Sequence, residues 1–410
     1  MANPLINSGD AVLVVYLASK NLIIRIMCLK RILIVSDIHI GKEEDLNSVT
    51  KLTVATPELP SSRNPMESLK DFLITANTKI DAIINLGDVT DKGYAAGWFT
   101  GIKMLREISL ILKCPLLSTP GNHDYMLNDE EKFDDRLLKG VKDYPTDNET
   151  ANGKFWADGF CIYEHENMQF LICNSERHLR CKADLDTSPI FDDEYISRIK
   201  EELSKKTFNG VKIAILHHHV VAHSDLLNPQ KSDVIDNGDK FMAMLRELKY
   251  YCVIHGHKHQ PRITNLNGVH IVASGSLAST QNTSQARIDN HFHLMVLEID
   301  EQIKGYLESY KFVPGEGWNP ISDYDYPIKP VHGFGYSLNV EKLVDEIIAY
   351  YFEGENKFSY VNIKTISQKF PEINALSEEQ MQDFLNVCRT KGYNPFKEGL
   401  VSLIMNKQNR

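Results

Sequence analysis

Five short apolar runs in the first two thirds of the chain are each followed by polar residues that can bind a metal ion. The runs lie at 32–35, 82–86, 115–119, 211–216 and 251–254. Their length and their content of Val, Ile and Leu are typical of buried strands. Amphipathic patterns at 65–77, 98–112, 192–205 and 240–248 predict helices between the runs. This alternation is typical of βαβ units, so we expect an α/β fold.

The polar residues after these runs form five motifs. They are Asp37-Ile38-His39, Gly87-Asp88-Val89-Thr90-Asp91, Gly121-Asn122-His123-Asp124, His217-His218-His219 and Gly256-His257-Lys258-His259. Because open α/β sheets place their sites outside the carboxyl ends of strands, we expect these side chains to gather there. Carboxylate, imidazole and amide ligands favour Mn, Fe, Zn, Co or Ni over Ca and Mg. The sequence therefore predicts a metal centre.

Each motif alone also has a structural explanation. Asp37 can cap a helix, Gly87 with Asp88 can form a turn, and a histidine among apolar residues is more often a core residue than a ligand. These explanations would suffice for a single motif, but candidate ligands follow five successive predicted strands, which favours a metal site. A fold that has lost its activity is the remaining alternative.

The order of the motifs, over roughly residues 30 to 312, resembles that of the calcineurin-like metallophosphoesterase superfamily. The resemblance implies a four-layer αββα sandwich of two mixed sheets, with a dinuclear metal site at the strand ends. It implies that one divalent cation is held by Asp37, His39, Asp88 and His259, and the second by Asp88, Asn122, His218 and His257. Two such cations can activate water and neutralise phosphoryl charge.

Two assignments depend on how the motifs are aligned with the family. Placing Val220 at the family's proline makes His218 the ligand, whereas a shift of one residue makes it His217, and both stay open. The resemblance implies that His123 protonates the leaving oxygen or stabilises the transition state. Asp124 is expected to orient His123 through a hydrogen bond.

The resemblance implies a metal-dependent phosphoesterase that uses metal-bound hydroxide on phosphodiesters or phosphomonoesters. The Gly-Asn-His-Asp form is most similar to the class III cyclic-nucleotide phosphodiesterase branch, so 3′,5′-cyclic nucleotides are candidate substrates. A protein phosphatase is disfavoured because Lys92 and Pro120 stand where that branch has phosphate-binding arginines. The alternatives are a DNA or RNA nuclease of the same superfamily and a metal-fold interaction platform.

The net charge limits the expected binding partners, and the cysteine content indicates the cellular compartment. The net charge of −10 and the pI near 5.9 argue against broad binding to nucleic acid or anionic membrane. The odd number of cysteines, seven, predicts reduced thiols in a cytoplasmic protein. We expect a small phosphate ester as the substrate, while a homo-oligomer is compatible with the sequence and the oligomeric state is left open.

Long polar segments at 128–159, 176–190 and 221–237 are predicted to build the pocket. Within them, Arg177, His178 and Arg180 are candidates for contact with a phosphate or a base, and Tyr125 could stack on a nucleobase.

The chain is long for one domain, and composition shifts along it predict four parts. Residues 1–26 are expected to be a dispensable extension, 27–312 the catalytic domain, 313–338 a linker or strap, and 339–410 a mostly helical, winged-helix-like module. Lys20 and Arg25 interrupt the apolar stretch 11–29, so it is too short to span a bilayer. A membrane-associated helix there is the minority interpretation.

Overall fold

The structure is a computed structural model, and it divides into two units. It describes residues 4–8, 11–18, 21–45, 52–53, 61–222, 230–279, 281–282, 287–299, 303–321, 331–334, 338–353, 358–370, 372–373, 376, 378–398 and 402–407. The larger unit comprises Lys30–Leu294 and Tyr310–Asn319 and carries all five motifs. The smaller unit comprises Met1–Leu29, Met295–Ser309 and Pro320–Arg410.

Strands and helices alternate through the larger unit, as the apolar pattern predicts. The described strands are β1 (Pro4–Ser8), β2 (Ala11–Ala18), β3 (Asn21–Val35), β4 (Ile40–Gly41), β5 (Leu52–Thr53), β6 (Ala82–Asn85), β7 (Leu116–Ser118), β8 (Met126–Leu127), β9 (Phe133–Asp134), β10 (Phe160–His165), β11 (Met168–Cys173), β12 (Val211–Ile215), β13 (Cys252–His255), β14 (Arg262–Leu266), β15 (Val269–Ala273), β16 (Gln281–Asn282), β17 (Arg287–Ile288), β18 (His291–Ile299), β19 (Ile303–Val313), β20 (Gly317–Pro320), β21 (Val331–Phe334), β22 (Tyr360–Asn362), β23 (Tyr393–Glu398) and β24 (Ser402–Lys407). The described α-helices are α1 (Pro65–Ala76), α2 (Ala95–Leu112), α3 (Arg136–Lys139), α4 (Glu149–Asp158), α5 (Asp193–Ser204), α6 (Gly238–Glu247), α7 (Val340–Ile348), α8 (Ile363–Lys369) and α9 (Glu378–Thr390).

The first sheet of the larger unit has β6 between β3 and β7, and these three strands run parallel. Every residue of β6 is buried, as expected for a central strand with both faces covered. Helix α2 lies beside β7 and buries Trp98, Ile102 and Leu105.

The second sheet has the order β10, β11, β12, β13, β15, β14. Its inner four strands run parallel, while β10 and β14 pair antiparallel with their neighbours. Phe191, Tyr195 of α5 and Phe241 of α6 belong to the hydrophobic cluster of this sheet. The predicted mixed α/β fold with two sheets and helices is therefore confirmed.

The carboxyl ends of strands from both sheets meet at one edge. Nδ1 of His217, after β12, donates to the carbonyl oxygen of Leu86, after β6, at 2.7 Å. The backbone N–H of His257 donates to Oδ2 of Asp37 at 3.2 Å. Gly256 is required there for space, since a Cβ would lie 2.1 Å from Oγ of Ser36. The sheet edges thus bring motifs far apart in sequence into contact.

The amino-terminal residues 1–26, expected to be a dispensable extension, contain β1, β2 and the first part of β3. Strand β2 pairs antiparallel with β3, from Ala11 opposite Cys28 to Ala18 opposite Asn21. The minority interpretation of a helix at 11–29 is therefore wrong for the described residues. No helix in the described parts of the chain is long and apolar enough to cross a membrane.

The carboxyl-terminal part of the smaller unit contains α7, β22, α8, α9, β23 and β24 in chain order. Its three strands form one sheet in the order β22, β24, β23. Leu343, Ile347, Phe352 and Phe384 share a buried cluster. Ser377, predicted to cap the last helix, and residues 322–330 and 335–337 of the predicted linker lie outside the described residues. The winged-helix likeness and the four domain boundaries remain predictions.

Two helical glycines give a test of the packing between α2 and the motif loops. A Cβ on Gly101 of α2 would lie 2.4 Å from Cγ1 of Val89, whereas a Cβ on Gly153 of α4 would meet nothing within 4 Å. We expect Gly101→Ala to lower the free energy of unfolding by about 1–3 kcal/mol through overpacking. Gly153→Ala should raise it by about 0.5–1 kcal/mol through helix propensity. Chemical denaturation measures the free energy of unfolding of both variants. An equal change in the two variants would contradict the close packing of Gly101 against Val89.

Candidate metal centre

Five of the predicted ligands adopt a backbone conformation that favours glycine. The φ values are 54° for Asp37, 53° for His39, 52° for Asp88, 82° for His257 and 56° for His259. A non-glycine residue held in this left-handed region costs about 1–3 kcal/mol. Such residues cluster at functional sites, where the surrounding structure enforces the conformation. The strain here coincides with the strand ends that carry the motifs.

The first group of candidate ligands is Asp37, His39 and His259. The Nε2 atoms of His39 and His259 lie 3.1 Å apart, and Nε2 of His259 lies 3.3 Å from Oδ1 of Asp37. All three residues are buried. The hydroxyl of Ser36 donates to Oδ2 of Asp37, which fixes the carboxylate beside the two rings.

The second group is Asp88, His217 and His257. Nε2 of His217 lies 3.4 Å from Oδ2 of Asp88 and 3.3 Å from Oδ1 of Asn122. The amide oxygen of Asn122 therefore lies beside this group, and its role as a ligand stays a prediction.

Asp88 lies between the two groups. Its Oδ2 is 3.4 Å from Nε2 of His217 and 3.6 Å from Nε2 of His39. Its Oδ1 accepts a hydrogen bond of 2.9 Å from the backbone N–H of His123. One carboxylate oxygen thus faces both groups, which suits a bridging ligand.

The electrostatics of the cluster fit a cation site. Burial raises the pKa of Asp88, but the positive charges of His217, His123 and His39 outweigh burial and hold that pKa well below its usual range. Burial lowers the pKa of His217, but the charge of Asp88 and a hydrogen bond with it raise that pKa to about 10. His39 likewise has its pKa raised to about 10, by Asp37, Asp91 and Asp88 against the effect of burial. Protons on these rings neutralise carboxylates that a divalent cation would neutralise instead.

The structure brings His217, and not His218, into the candidate ligand groups of the described residues. Nδ1 of His217 donates to the carbonyl of Leu86, which leaves Nε2 facing Asp88. Nδ1 of His218 instead lies 2.7 Å from Oε1 of Glu176 and 3.1 Å from Oγ of Ser175. His218 therefore lies beside the centre, and the geometry favours the alternative register.

The expected hydrogen bond between Asp124 and His123 is wrong. Asp124 accepts from the backbone N–H groups of Gly121 at 3.0 Å and Thr90 at 3.1 Å. Burial and the charge of Asp88 raise its pKa to about 7. Nδ1 of His123 lies 2.8 Å from Oδ1 of Asp91. Asp91 therefore orients the imidazole, and Asp124 holds the two motif loops together.

A cleft of about 290 Å³ opens at the centre. It is lined by His39, Asp88, Asn122, His123, Glu176, His178, Leu179, Asp184, Leu185, Thr187, His218, Gln230, Ser232, Asp233, His257, Lys258 and His259. The predicted pocket segments 176–190 and 221–237 both contribute, although 223–229 lie outside the described residues. Segment 128–159, predicted to be a loop, contains α3 and α4 and contributes no residue to the described lining.

Three candidates for substrate contact lie away from this cleft. Arg177 pairs with Asp192 at 3.3 Å and lies over the ring of Tyr195. Arg180 donates to two backbone carbonyls, and Tyr125 is buried with its hydroxyl near Asn174. Of this predicted set only His178 lines the cleft.

Asp233 contacts a candidate ligand, although its sequence context did not predict a role at the site. Its Oδ1 lies 3.1 Å from Nε2 of His257, so the carboxylate accepts a hydrogen bond from that nitrogen. This contact is of the kind that orients ligand imidazoles in metal sites. The signal in the sequence was weak, since Asp233 ends a three-residue 3-10 helix, Lys231–Asp233, that carries no motif.

Comparisons with known proteins agree with this geometry. A family model described as calcineurin-like phosphoesterase matches residues 30–261, more than half of the 410 residues. A comparison with curated proteins finds no match.

The chain also resembles several solved structures at low sequence identity. GAP50, the anchor in the inner membrane complex of Plasmodium, is 14% identical over 71% of this chain and 87% of that chain, with a TM-score of 0.44. The purple acid phosphatase PPD1 from yellow lupin seeds is 16% identical over 71% of this chain and 53% of that chain, with a TM-score of 0.43. Vacuolar Protein Sorting 29 from Cryptosporidium parvum is 14% identical over 75% of this chain and 99% of that chain, with a TM-score of 0.35.

The two neighbouring histidines give a matched test of the ligand set. His217→Ala removes a ring nitrogen 3.4 Å from Asp88, so we expect the variant to lose one of two bound cations. His218→Ala, the control, should keep both. Metal content after dialysis, measured by mass spectrometry, distinguishes them. Loss of a cation only in His218→Ala would show that His218 is the ligand, as the alignment of Val220 with the family's proline implies.

Proposed function

Because the chain belongs to the calcineurin-like phosphoesterase family, we propose that this metal-dependent phosphoesterase hydrolyses small phosphodiesters, with 3′,5′-cyclic nucleotides as the first candidates. The observation that carries the proposal is the position of Asp88, whose Oδ2 lies 3.4 Å from Nε2 of His217 in one ligand group and 3.6 Å from Nε2 of His39 in the other, with His123 directly beside it. Phosphomonoesters are the second class of substrate to test.

Two divalent cations fit the donor set. Asp37, His39, Asp88 and His259 would hold one, and Asp88, Asn122, His217 and His257 the other. Imidazole nitrogens with carboxylate and amide oxygens suit Mn, Fe, Zn, Co or Ni. When bound, such a pair supplies an activated water and neutralises charge on the phosphoryl group.

The chain's own contribution to the chemistry centres on His123 and Asp91. Nδ1 of His123 donates a hydrogen bond to Oδ1 of Asp91, which leaves Nε2 as the nitrogen available to the substrate. The His123 side chain is 37% exposed and lines the cleft, so a substrate can reach it. A sugar oxygen leaves as an alkoxide unless it receives a proton, and His123 is placed to give one.

The cleft supports a small substrate over a polynucleotide. Its volume of about 290 Å³ is at the lower end of the range for small-molecule sites. Among the described residues that line it, four are carboxylates, Asp88, Glu176, Asp184 and Asp233, and one is a lysine, so it lacks the row of basic side chains that binds a polynucleotide backbone. A nuclease would need a basic groove instead.

A substrate panel tests the proposal. The metal-loaded protein should hydrolyse cyclic nucleotides or other small diesters faster than phosphomonoesters or single- and double-stranded DNA, and a chelator should abolish turnover. Faster cleavage of DNA would favour the nuclease. Bound metal without turnover of any ester would favour an interaction platform.

A further prediction separates binding from chemistry at His123. His123→Ala should lower kcat about 10²–10⁴-fold on a cyclic nucleotide, with little change in metal content or KM. Asp91→Asn should cause a smaller loss, because it disturbs the orientation of the ring and keeps the ring itself.

The control for this prediction is a diester with a p-nitrophenyl leaving group, which departs without a proton. Steady-state kinetics should show a smaller loss on this substrate. Equal losses on both substrates would show that His123 stabilises phosphoryl charge, and no loss on either would remove it from the mechanism.

A further inference from the structure

The cleft contains one lysine or arginine among the described residues that line it, Lys258. Lys258 lies between His257 and His259 in the chain, and its side chain is 12% exposed. The other titratable side chains of the wall are carboxylates and imidazoles. An anionic ester that enters the cleft therefore meets one ammonium group besides any bound cations.

Asp233 fixes this ammonium at the wall. Nζ of Lys258 lies 3.2 Å from Oδ2 of Asp233, and Asp233 is 2% exposed. Oδ2 also accepts a hydrogen bond of 2.7 Å from the backbone N–H of Gln230. The other oxygen, Oδ1, holds Nε2 of His257. One carboxylate thus sets the positions of a candidate metal ligand and of the ammonium.

We propose that Lys258 binds a non-bridging oxygen of the substrate phosphate, with Asp233 as its positioning residue. This assignment rests on the proposed function, since it names the substrate contact of the same site. An ammonium donates up to three hydrogen bonds and acts on phosphate as a point charge. Its attraction grows with the charge of the phosphate, so a dianionic group gains more than a monoanionic diester. Lys258 therefore also holds the dianionic monoester that forms when a diester is cleaved.

The test uses the full chain loaded with Mn²⁺ and inorganic phosphate as the probe. Lys258→Met removes the ammonium and keeps most of the aliphatic stem. We expect calorimetry to show that phosphate binds about tenfold more weakly or worse, because one charge-assisted hydrogen bond is lost. KM should rise more for p-nitrophenyl phosphate than for bis-p-nitrophenyl phosphate, while kcat and metal content change little. Lys258→Arg should recover most of the phosphate affinity.

Lys200→Met is the matched control. It removes the same charge from an exposed pair with Glu247, outside the described lining of the cleft. Phosphate affinity should stay at the level of the unmodified protein. Lys258→Gln gives the same comparison if Lys258→Met does not fold.

A purely structural role for Lys258 predicts a different result. If Lys258 only neutralises Asp233, then Lys258→Met lowers metal content or thermal stability, Asp233→Asn in the same chain restores them, and phosphate affinity per loaded site is unchanged. That result would overturn the proposal while turnover of esters continued. Weaker phosphate binding in a protein that hydrolyses no ester would instead support Lys258 and remove the proposed function.

Discussion

Burial of negative charge where two sheets meet is the constraint on which the candidate site depends. Asp37 and Asp88 are buried, and a carboxylate in such a place is costly unless positive partners surround it. The neighbouring imidazoles supply that charge, which is why the pKa values of His39 and His217 rise to about 10. A divalent cation would replace the protons on these ring nitrogens and neutralise the same carboxylates.

Four imidazoles around this cluster are oriented in the same way. One ring nitrogen of each is hydrogen-bonded to an oxygen atom, and this contact determines which nitrogen faces the centre. The pairs are His217 with the carbonyl of Leu86, His257 with Asp233, His123 with Asp91, and His218 with Glu176. The acceptors come from segments up to 131 residues away from their rings. The site therefore exists only when both sheets are assembled.

The alternating fold and the strand ends could be predicted because they follow from local periodicity, and the helices α1, α5 and α6 lie within one or two residues of the predicted spans. The ligand register at His217 could not be fixed from the sequence. Asp37, His217 and His257 each lie two residues after the last residue of their strands, but the apolar runs 211–216 and 251–254 end one residue away from the observed strand ends Ile215 and His255. The carboxylate that accepts a hydrogen bond from His123 could not be predicted. Asp91 and Asp124 both belong to the motifs, and only their tertiary contacts show that Asp91 is the acceptor. Asp233 contacts His257 from a three-residue 3-10 helix, which is too short to show a hydrophobic period in the sequence.

The left-handed backbone at the candidate ligands also has an evolutionary consequence. At Asp37, His39, Asp88, His257 and His259 the fold alone would be served better by glycine, which adopts this conformation without a steric penalty. The side chains are kept at the expense of stability, and at these buried positions their chemistry is a reason to keep them. A descendant freed from selection for this chemistry should drift towards glycine at these five positions before its core changes. Their composition in relatives would then record which lineages still use the site.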